Sequence, residues 1–134
     1  MISVYSNVDG QIICNIIHKN EIDGYRRDLS PENEIIQVCA RKIDKGVYVQ
    51  AHRHFPTERV TIGTQESWII LDGVILAGVY DIDNALIKEV ELYSGSCIVF
   101  FRGGHSLKVL TDNTYFYEFK NGPYHGYEND KYNI

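Results

Sequence analysis

Long hydrophobic runs are missing from this sequence. The longest, Cys97 to Phe101, has the length of a β-strand, whereas a membrane-spanning helix needs about 18 or more apolar residues. The opening stretch from Met1 to Tyr5 also lacks the basic and apolar regions of a signal peptide. We therefore expect a cytoplasmic protein with no membrane-spanning segment.

Positive charge is also scarce. The chain has 13 Lys and Arg residues against 18 Asp and Glu residues, which gives a net charge of -5. Proteins that bind nucleic acid usually carry a basic patch or stripe, and none is visible here. Nucleic acid is therefore not an expected partner.

Cysteine is too sparse for a disulfide scaffold. The three cysteines, Cys14, Cys39 and Cys97, form no CxxC pair and each lies among apolar residues. Small proteins that depend on disulfides have an even number of cysteines in a recognisable framework. We expect three reduced, mostly buried thiols, in keeping with a cytoplasmic location.

β-forming residues and glycine-containing turns are abundant. Short segments rich in Val, Ile, Tyr and Phe recur from residue 34 onward, and Asp72-Gly73 between two of them is a strong hairpin signal. Many short strands with regular turns predict an all-β sandwich or closed barrel. The predicted strands are 34–43, 46–54, 58–62, 66–72, 74–81, 86–92, 97–101, 105–110 and 114–120.

The first 33 residues read as an N-terminal extension of a single domain whose barrel and C-terminal tail span residues 34–134. The segment from Gly10 to Lys19 fits either a strand or a short helix, and we favour a strand. Four isoleucines lie in it, at positions 12, 13, 16 and 17. This is more apolar surface than a small barrel needs inside, so we predict a homodimer.

Two histidines one residue apart form the first candidate for chemistry. His52 and His54 end the predicted strand 46–54. Side chains at positions i and i+2 of a strand point to the same face, so both imidazoles would project from one surface. That arrangement allows both to bind one metal ion.

Two further residues complete a candidate metal site. Glu66 begins the strand that leads into the Asp72-Gly73 turn, and His105 alternates with polar residues so that it shares a face with Leu107 and Val109. We predict that His105 points to the inside of the sheet. Three imidazoles and a carboxylate suit a first-row transition metal such as Fe, Mn, Ni or Zn.

These residues resemble the two sequence motifs of the cupin superfamily. The first motif is matched by Gly46, the His52-Arg53-His54 triplet, Glu66 and Gly73. The spacer before Glu66 is longer than the motif has, and Glu58 is a rival for the carboxylate ligand. We prefer Glu66 because it opens the strand that ends at Gly73.

The second cupin motif is matched by Gly95, Gly103, Gly104 and His105, with Phe101 where the motif has proline. His105 comes one residue earlier than in the motif, and Val109 stands in place of its asparagine. The resemblance covers about residues 34–120. It implies a cupin-type β-barrel, also described as a double-stranded β-helix or jelly roll, with a divalent metal inside.

The chain further resembles small cupins that accompany bacterial surface-polysaccharide biosynthesis. The stretches that carry this resemblance are Ile36-Gln37-Val38, Gln65-Glu66-Ser67-Trp68, Tyr80-Asp81-Ile82-Asp83, Arg102-Gly103-Gly104-His105 and Tyr117 to Tyr124. It implies a sugar or sugar nucleotide as substrate and an isomerase or epimerase reaction. Two alternatives stay open, a non-catalytic sugar-binding or regulatory module and an Fe(II) dioxygenase.

An isomerase needs a base and groups that hold the substrate. We predict Glu58 as the base, with His18 and His125 as weaker candidates. Trp68 shares the face of Glu66 and can line the barrel, and Arg102 can reach a phosphate at its mouth. For both residues an ordinary structural role is the competing interpretation.

Overall fold

The computed structural model describes all residues from 1 to 134, and its regular structure is almost entirely β-sheet. The prediction of an all-β protein is confirmed. A single 3₁₀ turn, Lys19–Glu21, and one short helix, α1 (Tyr127–Asp130), are the helical elements. The strands are β1 (Ile2–Tyr5), β2 (Ile12–Ile17), β3 (Arg27–Asp28), β4 (Cys39–Ala40), β5 (Glu66–Asp72), β6 (Val74–Tyr80), β7 (Leu86–Tyr93), β8 (Cys97–Phe100), β9 (Gly104–Val109) and β10 (Tyr115–Lys120).

Two antiparallel sheets form the body of the protein. The larger has the order β1-β2-β8-β5-β10 and the smaller has the order β7-β6-β9, while β3 and β4 pair separately. Neither sheet closes on itself, so β9 and β10 each have one free edge. Both strands of the N-terminal region, β1 and β2, belong to the larger sheet.

The main core lies between the two sheets. It combines alternate residues of β6, such as Ile75 and Val79, with Ile98, Phe100 and Trp68 of the larger sheet, all at most 3% exposed. Alternation of this kind turns one face of each strand toward the other sheet. Burial of each large apolar side chain contributes about 1.5–3 kcal/mol to folding.

The prediction of a strand between Gly10 and Lys19 is confirmed by β2, but its isoleucines are not surplus surface. Ile13, Ile16 and Ile17 are fully buried, because both faces of β2 are covered. Ile13 and Ile16 face the main core, whereas Ile17 packs with Leu29 in a second core. The argument for a homodimer from exposed apolar surface in this segment is therefore wrong.

Asp72-Gly73 forms a turn from β5 to β6, but the prediction of a hairpin there is wrong, because β5 belongs to the larger sheet and β6 to the smaller one. Gly73 has a φ of +79°, and a Cβ atom there would lie 2.3 Å from Thr114 Oγ1. Only glycine fits both the backbone conformation and the space. The predicted strands from 66 to 120 all form, with small shifts at their ends.

The prediction of strands at 46–54 and 58–62 is wrong, and the predicted strand 34–43 is reduced to β4. Residues 48–62 make no backbone–backbone hydrogen bond, although their sequence alternates as a strand would. A strand needs a neighbouring backbone for its N–H and C=O groups, and this segment lies beside none. Its apolar side chains are exposed, and Phe55 and Ile62 reach 90% and 88%.

No helix in the structure has the length and hydrophobicity that a membrane crossing requires. None of the three cysteines forms a disulfide. Cys14 is fully buried, and Cys39 and Cys97 are half-buried. Burial raises the pKa of the Cys14 thiol to about 12, which makes it unreactive at neutral pH.

Candidate metal centre

A cavity of about 800 Å³ opens between the two sheets and the C-terminal segment. Its inner wall includes Glu66 and Trp68 of β5, Phe100 of β8 and His105 of β9. Asp130 of α1 also lines the cavity. The cavity therefore collects side chains from both sheets and from the tail.

Glu66 and His105, two of the predicted metal ligands, meet in this cavity. His105 Nε2 lies 3.5 Å from Glu66 Oε1, although the two residues come from different sheets. The imidazole stacks on Phe100 with a ring separation of 4.5 Å and meets the edge of Trp68. These contacts hold the imidazole in one orientation beside the carboxylate.

The strand register explains why His105 faces inward. His105, Leu107 and Val109 pair directly with Val79, Ala77 and Ile75 of β6, which are fully buried. Directly paired residues share one face of a sheet, so these three side chains of β9 lie on the core face. Leu107 and Val109 are nevertheless 40% and 51% exposed, because β9 is an edge strand with nothing beside it.

Glu66 is held as a carboxylate by its neighbours. Burial alone would raise its pKa, but the His105 and Trp68 side chains that bond to it, together with the charge on Lys120, lower the pKa to about 2. The Trp68 indole N–H donates to Glu66 Oε1, and Lys120 Nζ lies 3.3 Å from Oε2. Glu66 is thus ionised throughout the physiological pH range.

The structure does not bring His52 and His54 to this site. Both lie in the exposed segment 41–64, with their rings 5.3 Å apart and His52 Nδ1 close to the carbonyl of Gln50. No group of three or more His, Cys, Asp and Glu side chains is placed to hold one metal ion. Of the four predicted ligands, two are therefore together and two are elsewhere.

The rival carboxylate and predicted base, Glu58, is exposed in the same segment and does not line the cavity. The two weaker candidates for the base are also outside it. His18 stacks on Tyr93 and contacts Ser96, at the turn between β7 and β8, and His125 lies on the exposed tail. The geometry thus places Glu66 rather than Glu58 beside His105.

The two predicted substrate-binding residues both line the cavity, and both have structural partners. Trp68 is 1% exposed and packs in the core. Arg102 donates to Asp9 Oδ2 at 2.7 Å and to Gln11 Oε1 at 2.6 Å. These bonds hold the turn after β1, so the guanidinium is already engaged within the chain.

Sequence reasoning missed Lys120, Glu118 and Asp130. Glu118 lines the cavity, and Lys120 lies on the same face of β10, because the two residues pair with Trp68 and Glu66 of β5. A signal was present: Glu118 and Lys120 share the parity of Phe116, which packs against the core. Charged residues on the same strand face as a core aromatic point inward. A charge that points inward needs a partner of opposite charge.

Comparison with known proteins adds no identification. No protein-family description, no curated protein and no solved structure matches the chain.

Proposed function

We propose that this protein is a metal-binding cupin-type protein that acts on a sugar or sugar nucleotide, as an isomerase or epimerase in surface-polysaccharide biosynthesis. One observation carries the proposal. Glu66 and His105, chosen from the sequence as metal ligands, lie 3.5 Å apart in the cavity although they are 39 positions apart along the chain. The substrate class and the pathway rest on the sequence resemblance.

The chemistry of this pair fits a first-row transition metal. A carboxylate oxygen and an imidazole nitrogen are ligands that Fe, Mn, Ni and Zn share, and Glu66 is already deprotonated, as a ligand must be. Two donors are fewer than such a metal needs. A bound metal would supply Lewis acidity toward a carbonyl oxygen of the substrate.

We propose that His52 and His54 complete the ligand set when residues 46–54 pair with the free edge of β9. That edge presents unpaired backbone groups, which readily accept another strand, and the exposed core-face residues Leu107 and Val109 lie along it. The histidines end their segment, whereas His105 begins β9. An antiparallel pairing would therefore extend the smaller sheet by one strand and bring all three imidazoles to the same end of it.

The cavity suits a small polar ligand. A volume of about 800 Å³ lies within the range of small-molecule sites, and the carboxylates that line it can accept bonds from sugar hydroxyls. Trp68 and Arg102 are the proposed substrate contacts. Glu58, which follows His54 closely in sequence, is the proposed base once the segment has paired.

Metal analysis of the protein purified without a histidine tag tests this proposal. We expect stoichiometric transition metal in the wild type and its loss in His105→Ala, Glu66→Gln and His52→Ala. His125→Ala, which removes an exposed histidine outside the cavity, should keep the metal. A wild-type protein without stoichiometric metal, even after incubation with Fe, Mn, Ni and Zn salts, would refute the proposal.

Hydrogen exchange at carbon separates the reaction from its alternatives. Incubation of the metal-loaded protein with a panel of nucleotide sugars in D₂O should wash deuterium into a C–H position of one of them, as seen by NMR. Binding without exchange would instead support a non-catalytic sugar-binding or regulatory module, and oxygen consumption with iron would support a dioxygenase. Full turnover by Glu58→Gln would exclude Glu58 as the base.

A homodimer remains part of the proposal, on a different surface from the N-terminal isoleucines. Tyr115, Tyr117 and Phe119 lie on the outer face of β10 and are 60%, 59% and 49% exposed. Contiguous aromatic surface of this kind is typical of an interface. Sedimentation velocity should give a dimer that Phe119→Ser weakens, whereas a monomer at high concentration would contradict it.

A further inference from the structure

The ammonium group of Lys120 lies among three carboxylates at the edge of the cavity. Its Nζ atom is 3.1 Å from Glu118 Oε1, 3.3 Å from Glu66 Oε2 and 3.3 Å from Asp130 Oδ2. These carboxylates come from β10, β5 and α1. The side chain of Lys120 is only 22% exposed, so little water separates it from these partners.

This cluster carries an excess of negative charge. The formal charges of one ammonium group and three carboxylates, each with an oxygen within 3.3 Å of Lys120 Nζ, sum to two negative charges. A divalent cation at Glu66 would bring the cluster to neutrality. An anion such as a phosphate would increase the imbalance.

We propose that Lys120 is the internal counter-ion of Glu66 and competes with a divalent cation for its carboxylate. This inference rests on the proposed metal site. In the absence of metal, the ammonium neutralises part of the charge on Glu66 and keeps the carboxylate beside His105. When a cation binds Glu66, the ammonium of Lys120 keeps its contacts with Glu118 and Asp130. Displacement of the ammonium from Glu66 therefore removes one of its three ionic contacts. Lys120 is thus a positioning residue that lowers metal affinity.

The single tryptophan of the chain reports directly on this site. Trp68 donates its indole N–H to Glu66, and its ring lies 5.2 Å from that of His105. A paramagnetic ion such as Ni²⁺ bound by these two residues would quench the fluorescence of Trp68. Titration of the full chain with NiCl₂ therefore gives a dissociation constant without any assay of activity.

Replacement of Lys120 should tighten this binding. We expect Lys120→Gln to lower the dissociation constant for Ni²⁺ about fivefold, the effect of removing one favourable contact of a partly buried ion pair. Lys120→Arg, which keeps the charge, should stay within about twofold of the wild type. Lys131→Gln is the matched control for net charge, since Lys131 stacks on Tyr127 and contacts no carboxylate, and it should also change the constant by less than about twofold.

A variant of opposite sign keeps the test valid if Lys120→Gln folds poorly. Glu118→Gln removes a carboxylate that draws the ammonium away from Glu66, and the Glu118 side chain is half-exposed, so the fold tolerates the change. We expect weaker Ni²⁺ binding, by about threefold. Circular dichroism and thermal unfolding of each variant establish that it is folded.

The outcomes distinguish this inference from the proposed function. Quenching in the wild type with unchanged constants in Lys120→Gln and Glu118→Gln would overturn the role of Lys120 and leave the metal site intact. Quenching in Lys120→Gln alone would support the competition in its strongest form. Absence of quenching in the wild type and in every variant would overturn both the metal site and the inference.

Discussion

Residues 66–120 and residues 41–64 contain the same kinds of side chains but differ completely in structure. In the first region, valines and isoleucines alternate on paired strands and fill the core. In the second, Val47, Val49, Phe55 and Ile62 lie on an unpaired backbone and are at least half exposed. The difference shows that alternation alone does not make a strand, because the backbone also needs a partner.

The two candidate halves of the metal site are divided between these regions. Glu66 and His105 are held by the paired strands and contact each other. His52 and His54 belong to the unpaired segment. Any chemistry that needs all four residues therefore depends on a change in the segment, and the following measurements test that dependence.

Hydrogen exchange of backbone amides should show the largest contrast. We expect amides of residues 48–62, which lack backbone partners, to exchange close to the rate of an unstructured peptide. Amides of β8 should be protected by about a thousandfold or more. Addition of Ni²⁺ or Zn²⁺ should then protect residues 46–54.

Two results would contradict this prediction. Strong protection of residues 46–54 before any metal is added would mean that the segment is already paired. Unchanged exchange at saturating metal would mean that the segment does not pair with β9 when metal binds.

Truncation of one isoleucine in each region should lower the free energy of unfolding by very different amounts. Ile98→Ala removes a fully buried side chain of β8 and should lower the free energy of unfolding by about 3 kcal/mol. Ile62→Ala, at an 88% exposed position, should change it by less than about 0.5 kcal/mol. Urea denaturation measures both, and a comparable loss at Ile62 would show that the segment is packed.

Acid should weaken the stabilising contacts of Glu66, which lies in the part of the site formed by the paired strands. The pKa of Glu66 is lowered from 4.5 to about 2 in the folded state. Its contribution to the free energy of unfolding is therefore complete above pH ~4.5 and is lost as the pH falls toward 2. As the pH falls from 7 to 3, protonation of Glu66 should lower the free energy of unfolding by about 2 kcal/mol.

Urea denaturation at both pH values checks this effect. Glu66→Gln should be less stable at pH 7 and should show a smaller loss between the two pH values than the wild type. Glu58→Gln, at an exposed position, is the matched control and should reproduce the wild-type pH dependence. If Glu66→Gln loses as much stability as the wild type, the acid sensitivity arises from other carboxylates.

Local patterns predicted most of the strands from residue 66 onward. Asp72-Gly73 and the Ser94-Gly95-Ser96 turn mark the ends of strands whose alternation matches the structure. The predicted strand 46–54 is absent because strand pairing is a long-range property that alternation does not encode. The same limit applies to the pairing of Lys120 with Glu66, which lie on different strands and far apart in sequence.

By itself, the sequence determined the all-β class, the short strands and the candidate residues Glu66 and His105. These follow from side-chain type and spacing, which act locally. Only the tertiary structure decided that β9 and β10 have free edges, that Arg102 bonds to Asp9, and that Lys120 balances the charge of Glu66. Those features depend on which backbones and charges meet, and that is settled when the sheets pack.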